Sequence, residues 1–322
     1  MPLKLAMVGT GTFALPTFRS LYDSPHTVVG LVTQPDRTGR GHHQHPHPMK
    51  ELALERGTPV LQPENANGAV ALEQLRELGA DLCVVAAYGQ ILSAGFLEVS
   101  PLGAINVHAS LLPRYRGAAP IAWAILQGES ETGLSIFQIR PRLDAGPVLG
   151  IVRTPIGPKE TAGDLEERLA VLAPELTLRV IEELSAGTVR PVAQDPALVT
   201  RAPKLTREQA AIDWGKDSVE IERHIRAMQP WPKPFTFLLQ PGREPLRLLV
   251  LDVNPVEGDQ SRGCPGEVLL ANRELLVRSG DGAVRVEQLQ PAGKRVMTAD
   301  EFLRGHAVRE GDRLTTQLDQ HS

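Results

Sequence analysis

The sequence predicts an α/β chain of two domains, a mostly parallel sheet covered by helices and then a small β-barrel. Three observations predict it. At 322 residues the chain exceeds the usual size of one domain, so two cores are expected. Its first half alternates short apolar runs with amphipathic segments of helical spacing, as a parallel sheet buried on both faces requires. Its last third carries several short strand-like runs divided by Gly, Asn and Asp, the pattern of a barrel built from roughly 100 residues.

Taken in order, Leu5–Val8, Val28–Val32, Leu82–Ala87 and Ile105–Val107 are apolar runs of strand length. Phe13–Tyr22, Met49–Arg56 and Val70–Leu78 lie between them as helices, and Ala118–Leu126 continues the alternation. Leu134–Ile139 and Val148–Val152 are joined by residues 140–147 alone, a loop short enough for an antiparallel pair, so the sheet should be mixed at that edge. A helical pattern over Thr161–Leu184 closes the first domain, drawn at 1–187, with Gly187 as its stop. Residues 188–205 hold Pro191, Pro196 and Pro203 without periodicity and read as an extended linker. In the second domain, 206–322, Asp217-x-x-Glu220 forms a capping box for a helix with Ile221, Ile225 and Met228 on one face, ended by Pro230-Trp231-Pro232. Leu246–Leu251, Glu267–Leu270, Leu275–Arg278 and Val284–Leu289 supply strands for an OB-like barrel, and Thr298-x-x-Glu301 starts a last short helix.

Composition narrows the class. Hydrophobic residues at 42% and charged residues at 22% are near globular averages, which argues against wholesale disorder and against a membrane protein. The N-terminal run reaches Gly9 before a signal core can form, so a cytoplasmic location is expected. A net charge of −4 gives no global attraction to nucleic acid, so any RNA contact must be local. The two cysteines, Cys83 and Cys264, lack metal or redox spacing and are expected to be buried thiols.

Residues 106–117, Asn106-Val107-His108-Ala109-Ser110-Leu111-Leu112-Pro113-Arg114-Tyr115-Arg116-Gly117, carry the chemistry. Asn106 and His108 are two apart at the end of an apolar run, hence on one face of a strand. An amide donor beside an acid–base imidazole suits a carbonyl that becomes an oxyanion while its attacker loses a proton. Acyl or formyl transfer is the natural class, and Ser110, Leu111, Leu112 and Pro113 offer a stiff, partly apolar wall for a flat ligand. Competing patterns exist. Gly9-Thr10-Gly11-Thr12-Phe13-Ala14 with Asp36 fits a dinucleotide fingerprint, although the glycines are equally needed for a tight strand-to-helix turn. His42, His43, His45 and His47 alternate in a loop that could chelate metal, but no carboxylate or cysteine completes a set, so a solvated loop and no metal are expected. Trp214, Trp231 and Phe235 read as core anchors of the second domain rather than base-stacking platforms.

The dodecapeptide closely resembles the Asn-x-His-x-Ser-Leu-Leu-Pro-x-x-x-Gly motif of formyltransferases that use 10-formyltetrahydrofolate. Thr33-Gln34-Pro35-Asp36-Arg37, Ile212-Asp213-Trp214, Ile225-Arg226-x-x-Gln229-Pro230-Trp231-Pro232 and Leu289-x-Pro291-x-Gly293-Lys294-x-x-Met297 extend the resemblance to those members that formylate methionine on initiator tRNA. It implies a Rossmann-like formyltransferase domain followed by an OB-like tRNA-binding barrel. It also implies a 10-formyltetrahydrofolate cosubstrate with its pteridine against Ser110–Pro113, an initiator methionyl-tRNA partner, no metal and a monomer. Asn106 and His108 would donate to the developing oxyanion, and Asp144 would orient His108 or help to carry the proton. The 37–47 loop matches a basic loop that reaches the tRNA acceptor arm, with Arg37 and Arg40 kept and later lysines replaced by histidines. Arg142 stands where the family usually has glycine, and Pro147 where aspartate is common. Two other classes stay open: a folate-dependent hydrolase using water in place of the amine, and a non-catalytic RNA-binding protein.

Overall fold

The computed structural model describes residues 1–36, 47–256 and 263–316. The histidines and arginines of the expected basic loop, apart from His47, lie outside those residues. In chain order the first half runs β1 (Lys4–Gly9), α1 (Leu15–Tyr22), β2 (Thr27–Val32), α2 (Pro48–Glu55), β3 (Val60–Leu61), α3 (Ala69–Glu77), β4 (Leu82–Ala86), α4 (Ala94–Leu97), β5 (Ala104–His108) and β6 (Arg116–Gly117). It continues through α5 (Pro120–Leu126), β7 (Glu131–Gln138), β8 (Val148–Pro155), α6 (Ala162–Ala186) and β9 (Arg201–Ala202).

Seven of these strands form one sheet in the order β3-β2-β1-β4-β5-β7-β8. β1 to β5 run parallel, and β7 and β8 are antiparallel at the far edge, the mixed edge expected from the short 140–147 loop. The parallel strands are buried because helices cover both faces: β1 from Leu5 to Val8 and β4 throughout are closed to solvent. Sequence order reverses at β1, with β2 on one side and β4 on the other. That is a switch point, where open α/β sheets bind ligands beyond the carboxyl ends of their strands.

The second half contains α7 (Ser218–Ala227), β10 (Phe235–Leu239), β11 (Leu246–Val256), β12 (Val268–Ala271), β13 (Leu275–Arg278), β14 (Ala283–Pro291), β15 (Met297–Thr298), α8 (Ala299–Gly305) and β16 (Arg313–Thr315). Its antiparallel sheet runs β12-β13-β14-β11-β10-β16, and the two ends meet. Val268 donates to the Asp312 carbonyl at 2.8 Å and Leu314 to Gly266 at 2.7 Å, which closes the sheet into a barrel. Trp214, Ile221, Ile225, Val250, Val286, Leu289 and Phe302 share its core. Both capping boxes are present, at Asp217/Glu220 and Thr298/Glu301.

Contacts divide the chain into two compact units. The first is Met1–Pro120, Glu131–Pro155 and Asp164–Pro203; the second is Ile121–Ser130, Ile156–Gly163 and Lys204–Ser322. Two expectations are corrected. Cys264 is exposed in the turn before β12, while Cys83 is buried against Ser100 with its thiol pushed up to about 11 by desolvation. Trp231, between two prolines past the end of α7, is 49% exposed and lies outside the core, whereas Trp214 is buried with its indole N–H on Thr236.

Candidate active site

β5 sets the site because its last residues face the end of the sheet where the parallel strands stop. Asn106 and His108 fall on the same face of it, as their spacing requires. The Asn106 side chain is half-buried, and its amide makes no hydrogen bond within the protein among the described residues. A carboxamide so placed has both donors and its acceptor available.

His108 is 6% exposed. Its Nε2 lies 3.1 Å from the Tyr115 carbonyl, which can only accept, so the ring carries its proton there. Nδ1 is then the free nitrogen, and it faces Asp144 Oδ2 at 3.9 Å, too far for a hydrogen bond but close enough for strong attraction to an imidazolium. Burial pushes the ring below its ordinary value of 6.5, and Asp144 and the Tyr115 carbonyl work against that fall. The resting ring is neutral at pH 7, with a lone pair toward the carboxylate. The Nε2 contact occupies one ring nitrogen with the protein's own backbone.

Asp144 reaches this position through an unusual backbone. It has φ 46°, in the left-handed region, and its Oδ2 accepts the Gly117 N–H at 2.8 Å. Gly146 lets the loop close: a Cβ there would sit 1.7 Å from the Gln138 carbonyl oxygen. Of the two departures from the resembled pattern, Arg142 is exposed and the Pro147 carbonyl accepts the Gln138 N–H at 3.0 Å. Tyr115, whose carbonyl holds His108, is also left-handed at φ 60°, and Ala87 at the end of β4 has φ 48°. Such conformations cost about 1–3 kcal/mol and collect where a site dictates the backbone.

The Ser110–Pro113 segment is tied to its surroundings, and Leu112 and Pro113 also line a cavity of about 370 Å³ with Val148 and Gln194. Ser110 is fully buried, and its hydroxyl donates to the Arg114 carbonyl at 2.7 Å. Ser135 donates to the Ser110 carbonyl and accepts the Leu112 N–H, which pins the turn to β7. Leu112 packs with Phe137 and Val148. Leu111 and Pro113 keep some surface. Sequence reasoning missed the backbone groups of Tyr115 and Gly117, which carry no side-chain letter to read, and it missed Gln194.

Where β1, β2 and β4 end, a crevice of about 630 Å³ is lined by Thr10, Gln34, Asp36, His47, Tyr88 and Gln90. A hydrogen-bond chain runs along it from Thr10 through Thr33 to His47. The two glycines of the dinucleotide-like pattern have structural reasons here: a Cβ on Gly9 would lie 2.6 Å from the Ala86 carbonyl oxygen, and Gly11 turns the chain at φ 84°. Asp36 is engaged by Lys50 and Gln62, which hold its carboxyl below the usual range. Among the described residues, no three His, Cys, Asp or Glu side chains converge as a metal set would, and no helix is long and apolar enough to cross a membrane.

Comparison with known proteins places both halves. A family model described as formyl transferase matches residues 3–181, and one described as formyl transferase, C-terminal domain, matches residues 204–307. The methionyl-tRNA formyltransferase of Methylococcus capsulatus is 42% identical over 315 residues, covering 98% of this chain and 100% of the relative. That of Symbiobacterium thermophilum is 43% identical, covering 97% and 95%. Among solved structures, the N-formyltransferase of Helicobacter canadensis, in complex with folinic acid and dTDP-3-aminofucose, superposes with a TM-score of 0.67 at 18% identity, over 89% of this chain and 100% of that one. HypX from Aquifex aeolicus with tetrahydrofolic acid gives 0.61 at 17%, over 94% and 47%.

Proposed function

The chain belongs to the formyl transferase family, and we propose that it moves a formyl group from 10-formyltetrahydrofolate to the α-amino group of methionine on initiator tRNA. Its near full-length likeness to methionyl-tRNA formyltransferases supports the acceptor, and the second unit supports it further, since a closed barrel is a common platform for nucleic acid. The observation that carries the chemistry is the free Asn106 amide beside a buried, neutral His108 whose Nδ1 faces Asp144.

The amine attacks as a neutral nucleophile, and an α-amine titrating near or below about 8 supplies that form at neutral pH. As the formyl oxygen gains charge, Asn106 donates to it, a contribution of about 3 kcal/mol in comparable oxyanion sites. His108 Nδ1 receives the proton lost by the amine, directly or through one water. Asp144 stabilises the imidazolium so formed and holds it ready to return the proton to the leaving folate nitrogen. No covalent bond to the protein and no metal is needed in this sequence. Of the four expected folate contacts, Leu111 and Pro113 are partly exposed and Leu112 lines a cavity with Pro113, while Ser110 is fully buried and supports the turn.

The test is an assay with 10-formyltetrahydrofolate and charged initiator or elongator tRNA, following formyl-methionine. Wild type should formylate the initiator in preference. Asn106→Ala should lower turnover by about 10²-fold or more with folding intact. Folate deformylation without an amine acceptor would point to the hydrolase instead, and near-wild-type turnover in the variant would remove Asn106 from the mechanism.

A further inference from the structure

The 188–205 stretch, which reads in the sequence as an extended linker, reaches the candidate catalytic groups at two points. Gln194 is less exposed than its neighbours on either side, and both ends of its amide are used. Its Nε2 donates to the Asp144 carbonyl at 2.8 Å and to the Gly146 carbonyl at 2.7 Å. Its Oε1 accepts from Arg116 Nε at 3.1 Å and Nη2 at 2.7 Å. Arg116 adjoins Gly117, whose N–H holds the Asp144 carboxylate. A closed circuit results, from the Asp144 backbone through Gln194, Arg116 and Gly117 back to the Asp144 side chain.

Six residues on, Thr200 does the same for the other partner of His108. Its Oγ1 accepts the Tyr115 N–H at 2.8 Å, and its carbonyl accepts the Arg116 N–H at 3.0 Å. β6 and β9 pair immediately beyond, Arg116 with Arg201 and Gly117 with Ala202. The carbonyl of the same Tyr115 carries His108 Nε2. Tyr115 and Asp144 both occupy left-handed backbone that a non-glycine residue adopts only when its surroundings hold it there.

We propose that Gln194 is a positioning residue for formyl transfer, fixing Asp144 against His108, and that Thr200 fixes the Tyr115 carbonyl on the far side of the ring. The inference rests on the assignment of His108 and Asp144 as the proton-handling pair. Glutamine suits the task because one planar group must donate twice to carbonyls and accept twice from a guanidinium. Glutamate keeps the Arg116 contact but cannot donate, so Gln194→Glu sets its carboxylate against two carbonyl oxygens.

The experiment compares full-length Gln194→Glu, Gln194→Met, Thr200→Val and Thr200→Ser for kcat, KM of both substrates, and the pH profile of kcat. Both Gln194 variants should lose about tenfold or more in kcat, with each KM within about threefold of wild type. The acid limb of Gln194→Met should move to lower pH, because Asp144, beside which the Arg116 cation lies, is with the Tyr115 carbonyl what holds the His108 pKa up against burial, while in Gln194→Glu the added carboxylate opposes that fall. Thr200→Ser keeps the acceptor and should retain wild-type rates, while Thr200→Val should not. Wild-type kcat in both Gln194 variants with an unmoved limb in Gln194→Met, or a loss confined to KM, overturns the inference. Asp144→Asn and His108→Ala run in parallel. If they lose activity while the Gln194 variants do not, positioning alone is refuted; if they keep it, the pair's assignment falls and the positioning role with it.

Discussion

His108 concentrates the residue-scale physics of this chain. A buried imidazole prefers to be neutral, and a carboxylate at 3.9 Å prefers it charged; burial is the larger effect, so its native pKa lies below 6.5. The sign for stability follows. Below about pH 6.5 the unfolded chain binds a proton that the native ring resists, so the stability His108 contributes is present above that pH and lost as pH falls through the native pKa. We therefore expect the melting-temperature difference between wild type and His108→Gln to shrink, or to reverse, between about pH 7.5 and 5. His26 and His224 are lowered by burial too, and keep a residual slope in both proteins. A difference constant with pH would contradict this account. The spacing of Asn106 and His108 was readable in the sequence because strand periodicity puts them on one face. Asp144 was readable only through resemblance, since nothing local marks an aspartate in a Gly/Pro loop as more than a turn former. Gln194 was unreadable: it acts on a carbonyl 50 residues away, and no periodic pattern spans that distance.

Elements with their own local signals were legible. The long helix over Ala162–Ala186 shows its apolar stripe and ends at Gly187, which has φ 69°, and the two capping boxes appear where Asp-x-x-Glu and Thr-x-x-Glu stand. Elements that exist only through their partners were not. β3, β6, β9 and β15 have two residues each, too short for any period, and α4 is a single turn capped by Ser93. The Thr298 box is a clean place to measure what a local signal is worth. The Thr298 side chain accepts the Glu301 N–H at 3.2 Å, and Glu301 accepts the Thr298 N–H at 3.0 Å, on an exposed helix start. Thr298→Ala leaves that donor to water and should cost about 1 kcal/mol. In urea unfolding this appears as a lower midpoint with an unchanged slope. A cost near zero would mean that packing of Phe302 alone holds α8.

At the scale of the whole molecule, the chain does not divide in two at a single cut. Residues 121–130 and 156–163 precede the connector in sequence yet cluster with the barrel unit. For 156–163 the contacts say why: Lys159 Nζ donates to the Val253 carbonyl at 2.6 Å, Arg226 Nη1 to the Glu160 carbonyl at 3.0 Å, and the Gly163 N–H to the Gln229 carbonyl at 3.0 Å. Periodicity could not reveal this, because it reports which face of an element is apolar and not which unit covers it. The proposed division at 1–187, 188–205 and 206–322 therefore has a consequence for any fragment. A chain ending at Pro203 keeps β1, β4 and β5 with the Gln194 circuit, but it lacks every partner of residues 156–163 named above. It should bind folate and fail to formylate tRNA. It should also melt below the full-length protein, because three backbone and side-chain hydrogen bonds and their packing are gone. Hydrogen exchange locates the loss: amides of 121–130 and of 156–163 should exchange faster in the fragment, while those of β1 and β4 stay protected. Equal protection of 156–163 in fragment and full-length chain would show that these segments are held by the first unit.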